Sequence, residues 1–411
     1  MLTADPLVKR IQTAIHHAPS VINTVLPKII QLRHELHQHP EIRFEEHWTS
    51  DRIATFLEGE GISLERGFAR GTGIVAEIHG AQPGPTVALR ADMDALEIQE
   101  LSGLPYASQF PNRMHACGHD GHSATLCGVA LVLQHLDGQF PGRIRLIFQP
   151  AEEIAAGGRL IVEEGVLDDV DVAFALHGWP DLTVGQVATR PGWLMAGARD
   201  FSITVNGAGC HGADPAVGID PVVVAAHIIT SLQTIVSREI NPWEAGVVTV
   251  GMLQAGHTTN IIPDTAKLSG TFRSIRPDLL DAIKQSIERI AVNTAHAFRA
   301  QATVEFGNVA YPPLHNHPET TQLACEILRE TLGTDNVIEL DAPVMAAEDF
   351  AYYLQKVPGV FLYVGVNPTS GQPYPPLHNA RYDFSDEALP IAMHTLASLT
   401  LGFLIRSSSK K

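Results

Sequence analysis

Long apolar runs are missing from this sequence, and with them any obvious stretch of about twenty residues able to span a membrane. The opening residues mix charge with proline (Asp5, Pro6, Lys9, Arg10, Pro27, Lys28), so no secretory leader is expected. Cysteine is scarce: four thiols at 117, 127, 210 and 325 are too few and too scattered for a disulfide framework in 411 residues. Reduced thiols and a cytoplasmic setting are the simpler expectation. Positive charge is in short supply, with 28 Lys and Arg against 45 Asp and Glu and a formal net charge of −17. That deficit argues against nucleic acid and anionic membrane surfaces as partners. A small anionic substrate stays open, because a local basic site can override the global field. With 45% hydrophobic and 18% charged residues the chain has a globular balance, and its length calls for two domains rather than one core.

Histidine, by contrast, is abundant, with 20 residues and several packed into short windows. The N-terminal half alternates strand-like and helix-like segments. Gly73–Ile78, Thr86–Ala91, Arg143–Phe148 and Val172–Leu176 read as strands, and residues 119–136 and 157–166 as helices. This rhythm predicts an α/β domain with a mostly parallel sheet. The middle of the chain runs strand Phe201–Val205, helix Asp220–Glu239, strands Val247–Leu253 and Ala266–Phe272, helix Leu279–Phe298, strand Thr303–Phe306. That order is the ferredoxin-like split motif. An α/β pattern then returns, with helices near 319–333, Ala347–Gln355 and 386–405 and a strand at Val360–Val366. The expected architecture is a discontinuous catalytic domain, 1–198 and 310–411, carrying an inserted α+β lid domain at 199–309.

Three strands end in metal-ligand residue types: one runs into Asp92-Met93-Asp94, one into Glu152-Glu153, one into His177. Open parallel sheets bind their substrates beyond such carboxyl ends. The densest cluster is His115-Ala116-Cys117-Gly118-His119-Asp120-Gly121-His122. Cys117 and His119, one residue apart in extended chain, project to the same side and can reach one metal. Taken alone, this stretch reads equally as a Gly-rich helix start with polar caps and a buried cysteine. Glu152 and Glu153 point different ways, so one can bind metal while the other faces a water. Two solvated carboxylates at a helix N-terminus fit the spacing as well. Arg273 ends an apolar strand and suits a bidentate carboxylate contact, with a surface ion pair as the plainer alternative. His211 by itself is a loop histidine, and His34, His37 and His39 need only helix-surface and packing roles. Glu348-Asp349 suggests no physical role.

The windows 89–100 (LRADMDALEIQE), 114–122 (MHACGHDGH), 148–153 (FQPAEE), 176–180 (LHGWP), 260–264 (NIIPD), 346–350 (AAEDF) and 376–379 (PLHN) resemble the metal-dependent aminoacylase and carboxypeptidase family. More closely they resemble its amidohydrolase branch of hippurate hydrolases, N-acyl-amino-acid deacylases and auxin-conjugate hydrolases. The segment LRHELHQHPEIRFEE at 32–46 is similar to that branch's N-terminal signature. The resemblance implies Cys117, His119, Glu153, His177 and His378 as ligands of two divalent metal ions and Glu152 as general base. Zinc suits a set with a thiolate, with manganese, cobalt or nickel as other active forms. Related branches open the metal site with His-x-Asp where this chain has Asp92-Met93-Asp94, so no ligand is assigned there. A thiolate can bridge two cations and a neutral imidazole cannot, which gives Cys117 the bridging role.

The resemblance further implies that His211 stabilises the oxyanion, and that Asn260 and Arg273 hold the substrate carboxylate. Nearby, Cys210 replaces a common glycine and Pro215-Ala216-Val217 stands where relatives often have Pro-His, which bears on substrate contacts more than on chemistry. The implied activity is hydrolysis of a small N-acyl or N-aroyl amino acid, with a homodimer formed through the lid. The alternatives are a dipeptidase or carboxypeptidase, an N-acetyl-diaminopimelate-type deacetylase, and an inactive homologue that binds amino-acid conjugates.

Overall fold

The computed structural model describes residues 6–136, 138–369 and 371–408. Residues 1–5 and 409–411, which the sequence assigns to the ends of the catalytic domain, lie outside the described residues. The chain divides into two compact units. One comprises Met1–Gly192, His315–Asp341 and Asp349–Lys411, the other Trp193–Leu314 with Ala342–Glu348.

The first unit is built on an eight-stranded sheet. Its strands lie in the spatial order Leu64–Phe68, Gly73–His79, Pro141–Gln149, Gln82–Asp92, Val172–Thr183, Gly359–Asn367, Val187–Thr189, Val337–Glu339. The four central strands run parallel to one another, and antiparallel pairings are confined to the flanks. Val172–Thr183 begins with, and Gly359–Asn367 is, a near-continuous buried apolar run, as strands covered on both faces require, whereas Pro141–Gln149 alternates Arg143 and Arg145 with apolar residues. Helix His119–Gln134 is buried from His119 through Leu133, and helix Leu389–Ser408 buries Leu389, Met393, Leu396, Leu399 and Leu404 beside it. A helix that is apolar on all sides belongs in a core. At about 25 cal/mol per Å² of apolar surface, such elements dominate the stability of the unit.

Helix Pro6–Gln38 packs against both of these helices. It carries His34 and His37 in its last turns, where a helix surface is expected, and extends back past Pro27 and Pro19. Among the described residues two helices are, against expectation, long and apolar enough by length and composition to cross a membrane: Pro221–Glu239 and Asp386–Ser407. The second spends its apolar residues on the core just described.

The second unit has a four-stranded antiparallel sheet ordered Gly246–Ala255, Thr265–Ser274, Gly197–Asn206, Gln301–Tyr311. That is the strand order of the split motif. Helix Pro221–Thr234 starts where Asp220 Oδ1 accepts from Val222 N (2.8 Å), with proline in the first turn. It buries Val224, Ala225, Ile228 and Leu232 among the sheet residues Phe201, Ile203, Leu268 and Phe272. The unit also takes in Ala342–Glu348, which the sequence pattern assigns to the other domain. Ala196 N donates to Val344 O (3.0 Å) and Ala346 O (2.9 Å), so backbone pairing holds the segment there. Helix Ala351–Lys356 is shorter than the Ala347–Gln355 expected, because residues before it are drawn into other bonds.

Candidate metal centre

All five residues expected as ligands, and the expected base, lie in the first unit. Strand Gln82–Asp92 delivers Asp92 and, two residues on, Asp94. Its parallel neighbour Pro141–Gln149 leads through Pro150 and Ala151 into a single 3₁₀ turn, Glu152–Ile154. Ala151 and Ala155 flank that turn at φ 54° and 53°, left-handed values that a non-glycine residue adopts only when its surroundings enforce them. Asp94 supplies much of the enforcement: its Oδ1 accepts from Glu152 N (3.0 Å) and its Oδ2 from Glu153 N (3.0 Å). Ala151 N donates to the buried Glu46 (3.0 Å).

Asp94 Oδ1 also sits 3.2 Å from His119 Nδ1. A carboxylate on one ring nitrogen fixes the imidazole's orientation and aims the other nitrogen elsewhere. His119 Nε2 is buried and has no hydrogen-bond partner among the described residues. His177 shows the same arrangement, its Nδ1 donating to Gly178 O (2.8 Å) and its Nε2 lying 3.3 Å from Cys117 Sγ. His177 is inside the strand Val172–Thr183, paired with Tyr363, rather than just past its end.

Five groups of possible ligand atoms converge among the described residues, including His119 with Glu152 and Glu153, and Glu152 with Glu348 and Asp349; two of the five share Cys117. Cys117, His119 and His177 each bring one donor atom within 4.8 Å of the others, and so do Cys117, Glu153 and His378. The thiol of Cys117 is common to both. His378 carries a positive φ of 62°, and its N donates to Ala116 O (2.8 Å), which ties its loop to that of Cys117. His378 Nε2 is 3.3 Å from Glu153 Oε1. Asp92, His119 and His122 also converge. His122, however, has both ring nitrogens engaged: Nδ1 donates to Asp92 (2.6 Å) and Nε2 accepts from Gly178 N (2.9 Å). That makes it a support rather than a donor to metal. Gly118, at φ 88°, lets the chain turn into the helix, and a Cβ there would come within 2.9 Å of Tyr382.

The electrostatics call for added cations. Burial pushes the Cys117 thiol well up, and the carboxylates of Glu153, Glu152 and Asp92 push it further. Burial works against charge on His119, yet Asp92, Asp94 and Glu153 raise it to about 10. Burial alone would raise the Glu153 carboxyl, but His378 and His119 hold it below the usual carboxylate range. A buried thiol, ring nitrogens aimed at a common point and an excess of buried carboxylates together fit divalent metal ions. This donor set, with the unpartnered His119 Nε2, is what two cations would satisfy.

Glu152 is buried, and Asp349 N lies 3.4 Å from its Oε1. The Asp349 carboxylate accepts from Arg90 (2.8 Å), Gln149 (2.9 Å) and Gly158 N (2.7 Å). Burial raises it to about 6. Asp349 therefore anchors the backbone beside the expected base, a role the sequence reading did not find. Asp94 was likewise left without one. The only signal for either was an acidic residue next to an assigned motif.

Of the early histidines, His34 and His39 keep the packing roles expected, and His37 departs from a helix-surface one. His34 stacks on Tyr106 and His39 on Trp48, but His37 is fully buried between Asp120 (2.9 Å) and Glu100 (3.3 Å). Burial lowers His37, and Asp120 more than offsets that, holding it at about 9.

In the second unit His211 is exposed, with Nδ1 accepting from Ala213 N (3.0 Å). That bond places the ring proton on Nε2 and leaves it as a donor. Asn260 is exposed, its Oδ1 accepting from Thr258 Oγ1 (3.0 Å). Arg273 NH1 donates to Met345 O (3.1 Å), a backbone contact rather than an ion pair.

Comparison with known proteins adds the following. A model of the peptidase family M20/M25/M40 matches residues 88–401. The chain is 39% identical to an N-acetylcysteine deacetylase of Bacillus subtilis over 374 residues, 91% of this chain and 96% of that protein. It is also 39% identical to IAA-amino acid hydrolase ILR1-like 5 of Arabidopsis thaliana over 384 residues, 93% of this chain and 88% of the relative. Among solved structures, the Bacillus subtilis YXEP protein, described as a dinuclear metal binding peptidase, superposes with a TM-score of 0.78 at 35% identity. That match covers 94% of this chain and 99% of the other.

Proposed function

The chain belongs to the peptidase family M20/M25/M40, and from that premise we propose how its residues carry out amide hydrolysis and on what substrate. It is a metal-dependent amidohydrolase acting on linear amide bonds. The substrate is an N-acyl or N-aroyl amino acid, cleaved to the free amino acid and a carboxylic acid. Support comes from the two relatives named for N-acetylcysteine and for an IAA-amino acid conjugate.

One observation supports the site assignment: Cys117 belongs to two ligand groups, so its thiolate would be available to both of the cations that these residues would hold. His119 and His177 complete one position, and Glu153 and His378 the other. Zinc suits this mixture of sulfur, nitrogen and carboxylate, with manganese, cobalt and nickel as alternatives. Bound divalent cations lower the pKa of water and polarise the amide carbonyl.

The chain's own residues do the rest. Glu152, held by Asp94 and Asp349, takes a proton from the attacking water and passes it to the departing nitrogen. His211, with a donor at Nε2, offers a hydrogen bond to the oxyanion. Arg273 and Asn260 receive the carboxylate of the amino-acid half. A panel of acetyl, benzoyl, long-chain and indole-acyl amino acids, assayed beside dipeptides for release of free amino acid, tests the substrate class. Turnover of the acyl conjugates over dipeptides is expected. Arg273→Ala should harm free-acid substrates more than the matching amides, and equal loss on both would remove its carboxylate role.

The strand Gly246–Ala255 is an unpaired edge of the second unit's sheet and exposes Met252 and Leu253. This edge supports a homodimer with a second copy, in which His211 serves the neighbouring active site. Mixing His211→Ala with Glu152→Gln under subunit exchange should then restore about half of wild-type activity per mixed dimer, one repaired site of two. Proven exchange without recovery would place His211 in its own chain's site.

A further inference from the structure

The N-terminal signature at 32–46 has no part in the mechanism above, yet its Arg33 is completely buried. Burying a guanidinium is costly unless every arm is matched. Arg33 is matched by three separate segments, those of Tyr106, Asp120 and Asp383–Asp386. Its Nε donates to Asp120 Oδ2 (3.0 Å). NH2 donates to Asp383, and NH1 to Asp386 Oδ1 (2.7 Å) and Tyr106 Oη (3.3 Å). Tyr106 Oη donates in turn to Asp383 Oδ2 (3.1 Å). One helical turn on, His37 holds the same Asp120 oxygen (2.9 Å).

The location of these carboxylates gives the network its meaning. Asp120 directly follows His119 in the first turn of helix His119–Gln134, and the loop leading into that helix carries Cys117. Asp383 and Asp386 follow His378 on the segment that ends at helix Leu389–Ser408. The two segments meet through His378 N and Ala116 O (2.8 Å). The His378 segment is also tied to Leu101, whose N donates to Ala380 O (2.7 Å) and whose O accepts from Arg381 NH1 (3.0 Å).

We propose that Arg33 is a positioning residue that clamps the Cys117–His119 loop to the His378 segment, and so sets the relative placement of the ligands of the two metal positions. The proposal rests on the two-metal reading above. Arg33 touches neither substrate nor metal; its planar fork fixes angles that a point charge does not. Lysine at this position keeps the charge and loses the fork, so the effect belongs in metal affinity and turnover, beyond any change in stability.

Metal-free wild type and Arg33→Lys are titrated with Co²⁺ alone, followed by calorimetry and by visible absorption of the bound ion. Folding of both is checked by circular dichroism. The expected result is a folded variant that binds its second equivalent of Co²⁺ on the order of tenfold to a hundredfold more weakly, as losses of ligand-orienting partners do. Its absorption bands should shift, and kcat should fall with KM within about twofold, since a transition-state effect lowers kcat without a matching change in KM. A folded Arg33→Lys with wild-type affinity, spectrum and kcat overturns the proposal, and so does a change confined to melting temperature. If Arg33→Lys does not fold, Asp386→Asn, which weakens a single arm, is read by the same criteria. Wild-type protein that takes up no Co²⁺ overturns the two-metal reading and the clamp with it, whereas normal wild-type uptake with unaltered variants overturns the clamp alone.

Discussion

Glu152→Gln is expected to retain its metal ions and lose hydrolysis by roughly a thousandfold or more, the upper range for a single proton-transferring group. That corresponds to about 4 kcal/mol of lost transition-state stabilisation, at about 1.4 kcal/mol for each factor of ten. The amide keeps the shape of the carboxylate and can still face Asp349 N, 3.4 Å from Oε1 in the wild type. Its backbone bond to Asp94 is untouched. What disappears is the capacity to accept and return a proton. Glu153→Gln should behave differently. Glu153 lies beside His378 and His119 and shares a ligand group with Cys117, so its loss should appear first as weakened metal binding. Metal analysis together with kcat separates the two, and exchanged phenotypes would reverse the division of labour between these neighbours.

Withdrawal of the metals should abolish activity outright and also loosen the fold around the site. Without cations, the buried Asp92, Asp94 and Glu152 and the half-buried Glu153 form a negative cluster whose counter-charges are Arg90 and whichever histidines are protonated. A ligand that binds only the folded state stabilises it by about 2.7 kcal/mol at a hundred times its dissociation constant. Chelated protein should therefore melt several degrees below metal-loaded protein, and re-addition of metal should restore both melting temperature and turnover. A melting temperature indifferent to chelation would mean that the cluster binds no cation of consequence.

The sequence made much of this site legible because its information is local. Apolar strands ending in carboxylates, and Cys117 and His119 one residue apart, can be marked as candidates in the sequence, although their roles come only with the resemblance of the short windows to a known family. The supporting residues cannot be marked that way. Asp94 acts by accepting bonds from Glu152 and Glu153, 58 and 59 residues away, and nothing in Asp92-Met93-Asp94 announces that. His37 looks like a helix-surface histidine until Asp120, 83 residues on, is brought against it. Asp349 sits in a segment with helical pattern, but its carboxylate is drawn to Arg90 and Gly158, and the helix starts only at Ala351. Tertiary hydrogen bonds overrode local propensity there. The split motif of the middle segment was readable from strand and helix order alone, since each element alternates in the period its packing demands.

The most direct test is a metal titration of the wild-type chain. Protein stripped of metal is given zinc in measured equivalents while release of free amino acid from an N-acetyl or N-benzoyl amino acid is followed. Hydrolysis is expected to be absent at zero equivalents and to level off at two per chain. Full turnover by verified metal-free protein would contradict the account at its root.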